Sequence, residues 1–71
     1  MLNPQGAVEQ AMMKAQLAGV FCQSLSGSLI VAIAAPELVL PTIRDDIVRA
    51  RSAVRDADEA FTALLDIMDA G

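Results

Sequence analysis

The 71 residues contain no histidine, no tryptophan and no tyrosine, and a single cysteine. Without histidine the usual general base for a serine or cysteine nucleophile is missing, and so are the common Cys/His zinc sites. The one thiol, Cys22, excludes an intramolecular disulfide and fits a reducing, cytoplasmic compartment. Its neighbours Phe21 and Leu25 suggest a buried, inert packing role. The serines around Gly27 lack the Gly-Lys-Ser/Thr of a phosphate loop. Asp56, Asp58 and Glu59 lack the central glycine of a calcium loop, and a helical pattern runs straight through them. These absences leave no candidate catalytic, metal-binding or cofactor-binding residue, and the chain is expected not to be an enzyme.

Basic residues are also scarce. Five Lys and Arg stand against nine Asp and Glu, for a net charge of −4 and a sequence pI near 4.3. A negative chain is repelled by phosphates unless its basic groups are concentrated, and the only two rings, Phe21 and Phe61, offer little for base stacking. Nucleic acid is therefore not an expected partner. Arg44, Arg49, Arg51 and Arg55 are interspersed with acids and read as a solvated helix face. Asp45–Arg49 and Arg55–Glu59 are spaced four apart along it. Met1 to Pro4 carries no basic residue, so no secretory signal is expected.

What the chain does have is apolar, helix-forming sequence: 55% hydrophobic residues, much of it alanine. The strictest pattern lies between Thr42 and Met68. Ile43, Ile47, Ala50, Val54, Ala57, Phe61, Leu64 and Met68 step alternately by four and three, which places all eight on one stripe of an α-helix. A second set, Val8, Ala11, Ala15, Ala18, Cys22, Leu25, Leu29 and Ala32, has the same rhythm with smaller side chains. A small-residue seam lets helices approach closely and is expected to receive the bulkier stripe.

The boundaries follow from local chemistry. Asn3 and Pro4 suit a helix start. Pro36 and Pro41 disfavour helix in the residues before them, so a linker is expected over 35–41. Thr42 is a suitable N-cap, with Asp45 three residues on. Gly27, between Ser26 and Ser28, is the expected bend of the first helix, with a break into two helices as the competing reading. Leu29–Ala35 also reads as a buried strand, but it has no partner strand. The expected fold is all-α: an antiparallel two-helix hairpin in one domain, with helices at about 4–34 and 42–69, of which the matched segments 7–34 and 42–69 are each roughly 40 Å long.

A chain this short buries only about 60% of its unfolded surface, and neither a disulfide nor a zinc site makes up the difference. The hairpin is therefore expected to complete its core by association, with itself or with another protein. Phe61, Leu64, Leu65, Ile67 and Met68 widen the stripe into an apolar end that one partner helix cannot cover. With Val54 and Ile47 they are the expected partner-binding residues. The alternative is a single-span membrane or filament subunit packing through 15–36, a run of 22 uncharged residues. Against it stand three serines and two glutamines within the run, and no aromatic belt or basic flank beside it.

Overall fold

The computed structural model describes residues 4–70; of Leu38, Val39 and Thr42 only the backbone is described. The chain is all-helical, a two-helix hairpin. Helix α1 spans Pro4–Ala34 and helix α2 spans Pro36–Ala70. The two lie against each other in a rod 51 Å long and 15 by 13 Å across. Leu29–Ala34 lies within α1, and the helix passes Gly27 without a break. At neither Gly19 nor Gly27 would an added Cβ meet any atom within 4 Å.

The expected linker over 35–41 shrinks to one residue. Ala35 donates its N–H to the Val31 carbonyl at 3.0 Å, which closes the last turn of α1. The chain then reverses without any residue in the left-handed region among those described. The cause is Pro36, which pushes Ala35 out of helical geometry and also has the φ and the missing N–H that suit a first helical position. Glu37 adds negative charge at the positive end of α2. Pro36 therefore both stops α1 and starts α2. Pro41 lies inside α2. It leaves the Glu37 carbonyl without its helical N–H, a cost that any proline beyond the first turn of a helix carries. Thr42 is thus within the helix and not at its cap position, and its side chain lies outside the described residues, as does Asn3.

The core is a seam of small side chains. Ala11, Ala18, Ala32, Ile43, Ala50, Ala53 and Ala57 are the buried hydrophobic residues. At the middle, Ala18 packs with Ala53 and Ala57, with Phe21 half-buried beside them. Alanine on both helices lets the backbones approach, so contact is gained along the whole length with little side-chain volume.

Candidate interaction face

On an α-helix the residues three and four positions after a given one lie about 50° to either side of it. On α2 the expected stripe contains two rows seven residues apart in repeat. The row Ile43, Ala50, Ala57 and Leu64 faces α1 as expected: the first three are buried and Leu64 is half-buried. The row Ile47, Val54, Phe61 and Met68 does not. These side chains are 40%, 48%, 42% and 64% exposed. Their place on the seam is taken by the row on the other side, in which Ala53 is buried and Asp46, Ala60 and Ile67 are half-buried.

Helix α1 turns in the same sense. Ala11, Ala18 and Ala32 are buried and Leu25 half-buried, while Lys14, Phe21 and Ser28 are half-buried in the row beside them. The alternative row, Val8, Ala15, Cys22 and Leu29, is exposed. Cys22 is accordingly a free, exposed thiol, contrary to the buried role expected from its neighbours. On α2 the cause is size: the small Ala53 and Ala60 let the backbones approach, and the larger Val54 and Phe61 are displaced to the flank. Size does not explain α1, where Lys14 and Phe21 are half-buried and the smaller Ala15 and Cys22 are exposed.

Because the helices are antiparallel, the displaced rows fall on the same side of the hairpin. A shallow groove on that side is lined by Ala15 and Ala18 from α1 and by Val54, Ala57, Asp58 and Phe61 from α2. Leu40, 49% exposed, extends the α2 row by one more repeat. The next row outward on α2 is Arg44, Arg51, Asp58 and Leu65, all exposed. The opposite side of the hairpin is mixed: its groove is lined by Leu17, Phe21, Arg49, Ser52, Ala53 and Asp56. There Arg49 Nη1 lies 3.9 Å from Asp46 Oδ1, an exposed pair three residues apart. Such pairs contribute at most a few tenths of a kcal/mol. On the outer surface of α2, the Thr62 hydroxyl donates to the Asp58 carbonyl at 2.9 Å.

The seven expected partner-binding residues therefore divide. Ile47, Val54, Phe61 and Met68 form one exposed row, Leu65 is exposed beside it, and Leu64 and Ile67 are half-buried toward α1. Leu40 also belongs to the exposed row, because α2 runs through Pro41 and takes in part of the linker expected over 35–41. The described residues contain no group of three His, Cys, Asp or Glu that could hold a metal ion. Arg44, Arg49, Arg51 and Arg55 are all exposed.

Helix α1 is apolar on nearly every side. It is long and apolar enough to cross a membrane, and only 11% of its most apolar window is buried in the hairpin. Met13, Val20, Ile30 and Ile33 lie on its outer surface, 57%, 63%, 66% and 84% exposed. Compared with family models, curated proteins and solved structures, the chain matches none.

Proposed function

We propose that this chain is a small, non-enzymatic protein-interaction module, acting as an adaptor, an inhibitor or an assembly subunit through its apolar helix face. The observation that carries this reading is the row Leu40, Ile47, Val54, Phe61 and Met68, five large apolar side chains all at least 40% exposed on one face. Patches of this extent on a soluble chain mark contact surfaces. The hairpin's own seam is mostly alanine, so the bulk of its burial capacity is directed outward. A cytoplasmic setting goes with this reading, as does a protein partner in place of a nucleic acid.

Sedimentation of the chain in extracts of its host tests the reading. The wild type is expected to travel in a particle larger than its 7.5 kDa mass. Phe61→Asp is expected to return it to monomer size, because a charge is placed at the centre of the face. A wild type that is monomeric in extract, or a Phe61→Asp chain of unchanged particle size, overturns it.

A second reading has its own support in α1, whose apolar surface is scarcely used by α2. In that reading the chain is a membrane or filament subunit packed through residues 15–36. Recovery of the wild type only in the membrane fraction, and its release by detergent, favours this second reading over the first.

A further inference from the structure

We infer that the occupant of the apolar face is a second copy of this chain, packed face to face with α2 antiparallel on α2 and α1 on α1, about a two-fold axis at the level of Val54 and Gly19. This rests on the reading of the face as an interaction surface and adds the partner and its register.

The α2 row is complementary to itself when reversed end for end. Val54 is its midpoint, so Val54 meets Val54 of the other copy, Ile47 meets Phe61, and Leu40 meets Met68. The same reversal acts on the exposed row beside it. Arg51 then faces Asp58 of the other copy, and the symmetry makes this pair twice. The stem of Arg44 lies over Leu65. Setting α2 parallel to α2 would place Arg51 against Arg51 and Asp58 against Asp58, an arrangement disfavoured by like-charge repulsion. Setting α2 on α1 of the other copy would leave Arg44, Arg51 and Asp58 opposite Met12, Gly19, Ser26 and Ile33, with no opposite charge to meet.

Helix α1 places the axis independently. Reversed on itself, its exposed row sets Val8 against Leu29 and Ala15 against Cys22, with the midpoint between Ala18 and Gly19. Within the hairpin, Ala18 packs with both Ala53 and Ala57. Its level is therefore that of residue 55, and in an antiparallel pair Gly19 is level with Val54. The midpoints read from the two helices thus fall at one height, as a single two-fold axis requires.

Gly19 supplies a further reason. A glycine inside a helix weakens it relative to alanine, and here a Cβ would meet nothing within 4 Å. The hairpin alone gives no cause for it. On the axis, it lets α1 of one copy approach α1 of the other. The hairpin extends 51 by 15 Å in its two longest directions, an outline of roughly 750 Å², which is of the order of the ~800 Å² each partner contributes to a standard interface.

Disulfide trapping in the purified full chain, carrying Cys22→Ser throughout, tests the register. Val54→Cys is expected to form an inter-chain disulfide under mild oxidation, because a residue on the axis meets its own copy. Ile47→Cys and Phe61→Cys are each expected to remain uncrosslinked, since each lies about 20 Å from its own copy, and to link to one another when mixed. A Val54→Cys chain that links to Ala15→Cys and not to itself overturns the register. Gly19→Glu points into open space in the hairpin, so it is expected to keep the wild-type helix content and to weaken dimerisation at least tenfold by analytical ultracentrifugation. Unchanged dimer affinity in that variant overturns the placement of the axis. A purified wild type that stays monomeric at millimolar concentration overturns the second copy as occupant. That result is separate from the Phe61→Asp result in host extract, which decides the wider reading.

Discussion

Ala53 and Val54 are adjacent in sequence and opposite in environment, 5% and 48% exposed. The smaller side chain is buried because the seam rewards closeness of backbones more than volume of side chains. The consequence is a sharp intolerance of size at the seam. Ala53→Leu is expected to destabilise the hairpin by about 1–3 kcal/mol, because its added atoms must push α1 away or leave their preferred rotamers. In thermal unfolding that is a fall in Tm of several degrees for a domain of this size. An unchanged Tm would mean that the helices are not in close contact there. Cys22 shows that size alone does not decide burial on α1, where it is exposed and the larger Phe21 is half-buried. Its neighbours suggested burial, but burial is decided by the row a residue shares with positions seven apart, and the row of Cys22 is on the flank.

At the scale of the element, both helices are long because nothing in them is strong enough to stop them. Gly27 sits between two serines, yet α1 continues to Ala34. The individual costs are each about 1 kcal/mol or less, and they are spread along a helix that α2 supports along its length. Since a Cβ at Gly27 has open space, Gly27→Ala is expected to raise stability by about 1 kcal/mol, seen as a higher urea midpoint at unchanged slope. A loss of stability there would reveal a close neighbour at this glycine. Pro36 shows how one residue carries two instructions. Read as a stop, it correctly ends α1; read also as a start, it removes the seven-residue linker expected between the helices. Pro41 does not mark a boundary: it is the sixth residue of α2, where its missing N–H costs one helical hydrogen bond without ending the helix.

At the scale of the molecule, the balance of burial determines behaviour. The seam is built from alanines and a few partly buried larger residues, while Val54, Phe61, Met68 and much of α1 remain in contact with solvent. A hairpin of this kind gains stability from whatever covers those surfaces. If the cover is another copy, Tm is expected to rise with protein concentration across the micromolar range, by mass action on the folded state. A Tm independent of concentration over that range would show that folding is complete within one chain.

The sequence by itself determined the class of the fold: alanine-rich, helix-forming segments, a proline-marked reversal and matched lengths require two helices, and the antiparallel hairpin follows. It also determined one row of each seam, Ile43, Ala50 and Ala57 on α2 and Ala11, Ala18 and Ala32 on α1, because those positions are apolar on either choice of partner row. What only the tertiary structure decided was the direction in which each helix turns about that row. The neighbours three and four residues on are nearly equivalent in angle, and hydrophobicity favoured the bulky side. On α2 packing chose the small side, since two backbones can approach only where side chains are short, and that choice left Ile47, Val54, Phe61 and Met68 facing outward.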